Sequence, residues 1–354
     1  MAKILMKGNE AIGAAAIKAG CKYFFGYPIT PQNELPEYMS RELPKAGGVF
    51  LQAESEVAAI NMVYGASGAG ARVMTSSSSP GIALKQEGIT YIAGAELPCV
   101  IVNIVRGGPG LGGIQPAQSD YNQVTRGGGN GDYKLLVYAP ANLQEMVDLM
   151  QEAFDAADYY RTPVMMVGDG MIGQIMEPVE FKESVSRFEL PEKDWATVGT
   201  GNKRKPNIAN SLFLDPAELE KHNVKLQEKY ATIKANEARY ETYNLENAQL
   251  VAVAYGTTSR ILRNAINELK EKGIEVGMIR PITLWPFPEE AFDQIPASCK
   301  GLLSVEMSMG QMVDDLKIVS NGRWPVYFYG RSGGMIPTPA GIIGKIEELI
   351  GGAK

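Results

Sequence analysis

Three short segments of the chain carry residue types that could hold and react with a small organic ligand. The first, Tyr27-Pro28-Ile29-Thr30-Pro31, follows an apolar run, and its two prolines make a stiff, extended loop that can present a hydroxyl and a backbone carbonyl. The second contains Glu56 near the predicted start of a helix. The third places Arg106 at the end of a predicted strand, directly before glycines that allow a ligand to approach. An arginine in this position suits a bidentate contact with a carboxylate.

Glu56 is a candidate functional residue because of its position around the helix. At about 100° per residue, one apolar stripe of this helix contains Val57, Ile60, Val63 and Tyr64. Glu56 lies roughly 50° from the centre of that stripe and Glu54 roughly 110° from it, so we predict that Glu56 points inward. An inward carboxyl is costly unless another group bonds it. The alternative is a first-turn glutamate stabilised by the helix dipole, and for Arg106 the alternative is a surface salt bridge.

The elements that would position these segments form an α/β pattern over residues 1–185. Continuous apolar runs predict buried strands at 22–26, 49–52, 71–75, 98–105 and 163–167. Helix-period segments near 9–20, 55–68, 82–94 and 142–158 separate them. This alternation predicts a parallel sheet with helices on both faces.

Two further regions follow. Residues 186–247 are a polar connector, in which Asp215-Pro-Ala-Glu218 begins a long amphipathic helix with an N-cap, an N1 proline and a capping box. Its apolar stripe consists of Leu219, Leu226, Tyr230, Ile233 and Tyr240, with Glu237 standing where another apolar residue would fall. A second α/β unit occupies 248–354, with a strand from residue 249, a helix at 259–272 and a strand at 274–280.

Composition excludes several functions. The 354 residues carry 34 Lys+Arg and 40 Asp+Glu, a net charge of −6, so a nucleic-acid partner is not expected. No apolar run has the length of a bilayer span, and the N-terminus lacks a signal-peptide pattern, so we expect a cytoplasmic protein with no membrane partner. Three separated cysteines suit a reducing compartment and are too few for an iron–sulfur cluster.

Three other motifs have weaker interpretations. Gly108-Pro-Gly-Leu-Gly-Gly113 has dinucleotide-fingerprint spacing, but the residues that follow read as a loop rather than the required helix. Gly330-Arg-Ser-Gly-Gly334 has nucleophile-elbow spelling, although the base would have to be His222, the only histidine, which we expect to be a solvated surface residue. Gly168-Asp-Gly170 resembles the start of a diphosphate and magnesium motif, but no Asn pair follows, so we interpret it as a strand-terminal turn.

Taken together, the Tyr-Pro-Ile-Thr-Pro segment, Glu56 nine residues before Gly65-Ala66, and the Arg106-Gly-Gly-Pro-Gly segment resemble the 2-oxoacid:ferredoxin oxidoreductase family. The likeness is to the α subunit of the branched-chain, 2-oxoisovalerate type, and it extends over nearly the whole chain. Thr75-Ser-Ser-Ser-Ser-Pro80-Gly81 is similar to the family's turn after a strand. Val253-Ala-Tyr-Gly-Thr and Arg280-Pro-Ile-Thr-Leu-Trp-Pro-Phe-Pro resemble the transketolase C-terminal-like domain.

The resemblance implies a fold and a chemistry. Residues 1–185 would be the pyrimidine-binding domain for thiamine diphosphate, 186–247 the connector, and 248–354 a transketolase C-terminal-like domain. Glu56 would bond the pyrimidine ring of the cofactor, against which Pro28 and Ile29 would pack. Thr30 and Arg106 would hold the carboxylate and carbonyl oxygen of a 2-oxo acid, which is decarboxylated oxidatively with coenzyme A. Gln32 departs from the small hydroxyl residue that relatives often have there.

The resemblance also implies partners. A β subunit would carry Mg²⁺ and the cofactor diphosphate, a small ferredoxin-like subunit would carry iron–sulfur clusters, and an external ferredoxin would take the electrons; this chain would bind no metal itself. Pyruvate- and 2-oxoglutarate-specific members of the family remain alternatives. Two alternatives of other classes also remain: a non-catalytic scaffold with the same fold, and a self-contained NAD-dependent oxidoreductase.

Overall fold

The computed structural model describes residues 3–183 and 186–351, and in them two parallel-rich sheets are flanked by helices, which confirms the predicted α/β class. The strands of the first part are β1 (Ile4–Lys7), β2 (Tyr23–Gly26), β3 (Val49–Gln52), β4 (Val73–Ser77), β5 (Cys99–Val105), β6 (Leu136–Tyr138), β7 (Pro163–Asp169) and β8 (Met176–Val179). Its helices are α1 (Gly8–Lys18), α2 (Glu34–Glu42), α3 (Glu56–Gly68), α4 (Ser79–Gly94), α5 (Tyr121–Thr125), α6 (Leu143–Tyr160) and α7 (Gly170–Gln174), with a 3-10 turn at Pro44–Ala46.

The elements after residue 185 are fewer and include the longest helix. The helices are α8 (Pro216–Glu237), α9 (Gly256–Glu271), α10 (Met312–Ser320) and α11 (Pro339–Gly351), with a 3-10 turn at Glu289–Gln294. The strands are β9 (Tyr240–Tyr243), β10 (Leu250–Val253), β11 (Val276–Pro281), β12 (Thr283–Trp285), β13 (Leu302–Glu306) and β14 (Val326–Gly330). The predicted end of the first domain at residue 185 and the two chain ends lie outside the described residues.

The larger sheet has seven strands in the order β12-β6-β7-β5-β4-β2-β3, and only β12 is antiparallel to its neighbour. Its central strands β5 and β7 are buried along their whole length, which explains why both read as unbroken apolar runs. The five strands predicted in this part all form, each within two residues of its predicted bounds. Because β2, β4 and β5 run parallel, their carboxyl ends meet at one edge, where parallel sheets commonly bind ligands.

The second sheet has five strands in the order β14-β13-β10-β11-β9. The two sheets exchange edge strands: β9, from the predicted connector, pairs antiparallel with β11, whereas β12, from the predicted second unit, pairs with β6 of the first sheet. Arg280 of β11 joins the two layers, since its guanidinium donates twice to Glu145 of α6 at 2.9 Å and once to Glu241 of β9 at 2.7 Å. The division into domains at 185 and 247 stays a prediction, and the pairing of strands crosses it.

The long helix α8 forms as predicted, but its buried face differs from the expected stripe. Leu226, Tyr230 and Ile233 are buried, whereas Leu219 is 40% exposed and Tyr240 lies in β9 beyond the helix end. Glu237 is fully buried, because Tyr160 Oη donates to it at 2.7 Å and Arg187 pairs with it. A paired carboxylate therefore continues the stripe where an apolar residue was expected.

Among residues 3–183 and 186–351, no helix combines the length and the apolar character that a bilayer crossing needs.

Candidate active site

The loop after β2 presents Thr30 at the carboxyl edge of the larger sheet. Pro28 is exposed, whereas Ile29 and Thr30 are half-buried. The Thr30–Pro31 peptide bond is cis. Two side-chain amides fix the loop: Asn9 Nδ2 and Gln174 Nε2 donate to the Pro31 carbonyl at 2.8 and 3.0 Å. The expected stiff loop is therefore held both by its prolines and by contacts from α1 and α7.

Arg106 follows β5 directly and contacts the loop of Thr30. Its Nη1 donates to the Thr30 carbonyl at 2.8 Å, and its Nη2 donates to the Leu111 carbonyl at 3.1 Å. The side chain is only 7% exposed, and its Nε is buried without a partner. The surface salt bridge considered from the sequence is wrong, because Arg106 is buried and pairs with no acid in the described part of the chain. A buried guanidinium with a free N–H is suited to a carboxylate ligand.

Glu56 is the first residue of α3, after the N-cap Ser55, whose Oγ accepts from the Ala58 N–H at 3.1 Å. Its side chain is 7% exposed, whereas Glu54 is exposed, so the inward direction predicted for Glu56 is confirmed. No hydrogen-bond donor among the described residues contacts its carboxylate. The side chain is thus withdrawn from most of the solvent while its oxygens stay free for a ligand.

The predicted stripe on this helix is wrong at Val57. Ile60 and Val63 are buried and Tyr64 is half-buried, but Val57 is 43% exposed. The reason is that the buried face of α3 turns toward α4, where the Ile60 side chain lies against Gly88, and away from the edge of the sheet formed by β3. Val57 therefore belongs to the outer surface beside the site.

The first turn of α4 connects Arg106 with Glu56. Ser79 Oγ accepts from the Arg106 N–H at 3.1 Å and lies 3.3 Å from the Arg106 carbonyl, to which it can donate. Two residues on, a Cβ at Gly81 would lie 2.8 Å from Glu56 Oε1 and would overlap Ser77 Oγ. Only glycine leaves room here for the carboxyl. The structure thus brings Thr30, Arg106 and Glu56 around a single helix N-terminus.

Two hydrogen bonds connect the first turn of α4 to Asn103 of β5 and then to Asp120. The Ser79 N–H donates to Asn103 Oδ1 at 3.3 Å, and Asn103 Nδ2 donates to Asp120 Oδ2 at 2.9 Å. Burial raises the pKa of Asp120 above its ordinary value, and the hydrogen bonds from Asn103 and Ser79 act against that rise. These residues were not singled out from the sequence, because they follow no recognisable spacing and only the fold brings them together.

Several buried polar atoms near the turn lack partners within the described chain. They are Gln32 Nε2, Ser77 Oγ, Ser78 Oγ and Arg106 Nε. Buried polar groups are normally hydrogen-bonded, so a cluster without partners indicates water or a ligand that is part of the working site. These atoms are therefore available to the polar groups of a ligand.

Gln32 faces the sheet rather than the open loop. It is fully buried, and its Oε1 accepts from Ser76 Oγ at 2.5 Å. The departure from a small hydroxyl residue therefore adds an amide that spans from the loop to β4.

The segment after Arg106 is attached to the second sheet. Gln118 Nε2 donates to the Tyr255 carbonyl at 2.9 Å, and Gln118 Oε1 accepts from Thr258 Oγ1 and from the Met307 N–H, both at 2.9 Å. Asp169, at the end of β7, accepts from Thr257 Oγ1. The loop that carries the arginine is thus fixed by both halves of the chain.

The three weaker motifs have structural roles. No helix follows Gly108-Pro-Gly-Leu-Gly-Gly113 until α5, so the prediction of a glycine-rich loop is confirmed. Asp169 ends β7 and caps α7 by accepting from the Met171 and Ile172 N–H groups, as expected of a strand-terminal turn. The prediction of a solvated surface histidine is wrong for His222. It is half-buried, bonds the Gly94 carbonyl at 2.7 Å and stacks on Phe213.

Lys85 is the residue near the site that the sequence reasoning missed. It is fully buried in α4 and donates to Thr75 Oγ1 at 2.6 Å and to the Ser76 carbonyl at 3.1 Å. The available signal was its spacing, since Lys85 stands four residues after Gly81 and three before Gly88 on one helix face. No group of histidine, cysteine and acidic residues able to hold a metal ion occurs within residues 3–183 and 186–351.

Comparison with known proteins places this geometry in a family. Residues 14–244 match the family model described as pyruvate flavodoxin/ferredoxin oxidoreductase, thiamine diphosphate-binding, and residues 248–342 match pyruvate:ferredoxin oxidoreductase core domain II. The chain is 49% identical to the ketoisovalerate oxidoreductase subunit VorB of Methanothermobacter marburgensis over 99% of both chains. It is 35% identical to the 2-oxoglutarate synthase subunit KorA of Methanocaldococcus jannaschii, over 94% of this chain and 96% of that one.

The fold of this chain is also similar to that of a solved structure. The 2-oxoglutarate:ferredoxin oxidoreductase from Magnetococcus marinus, solved with 2-oxoglutarate, coenzyme A and succinyl-CoA bound, is similar with a TM-score of 0.87 and 27% identity. The similarity covers 98% of this chain and 65% of the other, so the chain spans about two thirds of that protein's length. The chain therefore belongs to the 2-oxoacid:ferredoxin oxidoreductase family, as an enzyme subunit with a thiamine diphosphate-binding fold.

Proposed function

We propose that this chain is the α subunit of an enzyme that oxidatively decarboxylates a branched-chain 2-oxo acid, 2-oxoisovalerate, with coenzyme A. The products are an acyl-CoA, carbon dioxide and reduced ferredoxin. The branch is chosen because identity is 49% to a ketoisovalerate oxidoreductase subunit and 35% to a 2-oxoglutarate synthase subunit. The observation that carries the proposal is the Arg106 contact with Thr30 beside the α4 turn that faces Glu56.

Arg106 and Thr30 form the substrate-binding part of the proposed site. The free Nε–H of Arg106 would donate to the substrate carboxylate, and the Thr30 hydroxyl, which accepts from Asn33 Nδ2 at 3.2 Å, would donate to the carboxylate or carbonyl oxygen. Both side chains are held by the backbone and by amides, so little ordering is left to occur on binding. Burial of the guanidinium strengthens its attraction for the carboxylate.

Glu56, Pro28 and Ile29 form the cofactor part of the site. The Glu56 carboxyl would hold the proton that is shared with ring nitrogen N1′ of the aminopyrimidine, and Pro28 and Ile29 would pack against the ring. Thiamine diphosphate, when bound, supplies a nucleophilic carbon for the 2-oxo group and accepts the electron pair released as carbon dioxide leaves. The Glu56 oxygens, which no donor in the described residues contacts, and the close packing of this carboxyl against Gly81 support this assignment.

The cofactor would be completed by other subunits. We propose that a β subunit holds Mg²⁺ and the diphosphate, and that a ferredoxin-like subunit with iron–sulfur clusters passes electrons to an external ferredoxin. In this arrangement the chain works as the pyrimidine-binding domain (1–185), the connector (186–247) and the transketolase C-terminal-like domain (248–354). Two apolar side chains close to these residues are exposed, Val57 beside Glu56 and Leu111, whose carbonyl accepts from Arg106, and they support a surface that a partner covers.

The test uses the complex purified with its native partners, assayed with a panel of 2-oxo acids, coenzyme A and a viologen dye. Glu56→Gln should reduce turnover by at least about 100-fold while the complex still assembles, because an amide cannot supply the proton. Glu54→Gln is the matched control and should keep full turnover, since Glu54 is exposed. Unchanged turnover in Glu56→Gln would refute the proposed role and would favour a scaffold subunit. Faster turnover of pyruvate or 2-oxoglutarate than of 2-oxoisovalerate would refute the substrate assignment.

A further inference from the structure

The helices α3 and α4 pack closely through glycines, and a lysine lies between the contact points. A Cβ at Gly81 would lie 2.8 Å from Glu56 Oε1, and a Cβ at Gly88 would lie 2.5 Å from Ile60 Cγ2. Residues four and three apart on a helix share a face, so Lys85 stands on the same face of α4 as both glycines. Glu56 and Ile60 are likewise four residues apart on α3. Lys85 is therefore enclosed between the two points at which α4 contacts α3, one of which is the carboxyl of Glu56.

The ammonium of Lys85 is buried with only neutral hydrogen-bond acceptors. Its side chain has no exposed surface, and its two acceptors, Thr75 Oγ1 and the Ser76 carbonyl, both belong to β4. A buried charge is costly unless an opposite charge compensates it. Burial lowers the pKa of Lys85 to about 7, and the nearby Glu56 carboxylate acts against that lowering.

Two titratable groups face Lys85 from the elements packed around it, Glu56 of α3 and Cys99 of β5. Burial raises the pKa of the Cys99 thiol to about 12, so Cys99 is neutral near pH 7. Glu56 is therefore the group that can carry the negative charge opposite Lys85.

We propose that Lys85 is a positioning residue that acts through Glu56: its buried ammonium stabilises the carboxylate that remains when Glu56 passes a proton to the cofactor ring. This role rests on the proposed function, since it presumes that Glu56 faces the ring. A nearby cation lowers the energy of negative charge that develops on a carboxyl during proton transfer. Loss of the Lys85 proton above neutral pH should then weaken this effect, so turnover should decline as the medium becomes alkaline.

A structural alternative makes a different prediction. If Lys85 only supports β4 through its bonds to Thr75 and Ser76, its titration should not respond to the charge at position 56. The first test therefore follows Lys85 directly, in the full chain labelled with ¹³Cε-lysine, with the Lys85 signal identified by its loss in Lys85→Met. In Glu56→Gln the NMR titration midpoint of Lys85 should fall by about one pH unit. In the control Glu54→Gln it should not move.

The second test uses the assembled complex. Lys85→Met should lower kcat by about 10- to 100-fold with little change in KM for the 2-oxo acid, because Lys85 does not contact the substrate. Lys85→Arg, which keeps a positive charge at all accessible pH values, should recover part of the rate and remove the alkaline decline. An unchanged Lys85 midpoint in Glu56→Gln, or a Lys85→Met effect on KM alone, would overturn the proposal. If the complex turned over no 2-oxo acid, the proposed function would fail while the NMR result would still report the coupling.

Discussion

The cost of burying the Lys85 ammonium can be measured as a pH dependence of stability. The pKa of Lys85 in the folded chain is about 7, whereas an exposed lysine titrates near 10.4. Between these values the unfolded chain binds a proton that the folded chain does not, so the free energy of unfolding should rise as the pH rises from about 7 to 10. At about 1.4 kcal/mol per pH unit, the largest expected change from this residue is roughly 5 kcal/mol.

The assay is urea unfolding of the wild-type chain and Lys85→Met at several pH values across this window. The quantity to compare is the difference in the free energy of unfolding between the two proteins, because contributions from other titrating groups cancel in it. Methionine is unbranched and of similar length, so it should fill the same space. As the pH is lowered from 10 to 7, the free energy of unfolding of the wild-type chain should fall by several kcal/mol relative to that of Lys85→Met.

Lys270→Met is the control, since Lys270 is exposed on α9, and its difference from wild type should stay constant with pH. If the Lys85→Met difference changes by less than about 1 kcal/mol across the window, which is near the error of such extrapolations, the claim of a costly buried ammonium is refuted.

Three further variants test the contacts around the site and the connector. Gly81→Ala should lower turnover at least about tenfold and destabilise the chain by about 1–3 kcal/mol, because its Cβ would overlap Ser77 Oγ and crowd Glu56. The control is Gly65→Ala, which has open space and should be neutral or stabilising in urea unfolding. Equal stability of the two variants would contradict the crowding at Gly81. Arg106→Lys should lower kcat/KM for the 2-oxo acid about 10- to 100-fold in steady-state assays, because the single nitrogen of an ammonium cannot occupy the three positions from which the guanidinium nitrogens face the Thr30 carbonyl, the Leu111 carbonyl and the ligand. A wild-type value of kcat/KM would contradict the proposed role of the guanidinium. Glu237→Ala should cost about 1–3 kcal/mol in the free energy of unfolding by leaving the Tyr160 hydroxyl without its buried acceptor, whereas Arg187 keeps Glu152 as a partner. A loss below about 0.5 kcal/mol would show that the buried carboxylate contributes little.

The order of strands and helices around the site was predictable because the sheet is parallel and covered on both faces. Strands such as β5 are buried along their whole length, so an unbroken apolar run marks them clearly. The inward direction of Glu56 could also be predicted, because it depends only on the helical repeat and the apolar residues beside it. The approach of Arg106 to Thr30 was implied by the family resemblance. In the structure it arises because β2 and β5 end at the same edge of the sheet, with β4 between them.

Features that depend on distant pairing could not be predicted in this way. The helix α4 begins at Ser79, three residues before its predicted start, because a serine-rich segment with Pro80 reads equally well as a turn. Tyr240 lies in an edge strand because its partner β11 is 35 or more residues further along the chain. Val57 and Leu219 were placed on the buried side but are exposed, because the periodicity of a helix gives the direction of each side chain, but not what packs there. Glu237 does lie on the buried side, but its pairing with Tyr160 and Arg187 could not be read from the spacing.

The exchange of edge strands has a practical consequence for dividing this protein. A cut near residue 247 would seem natural, since it separates the two predicted α/β units. An N-terminal fragment ending there would lack β12 and leave β6 at an open sheet edge, and the C-terminal fragment would lack β9 and expose β11. Open edges of this kind invite pairing with other chains. Expression of either half by itself should therefore yield aggregates. Soluble material should be recovered only when the two fragments are produced together, because β12 can then pair with β6 and β9 with β11.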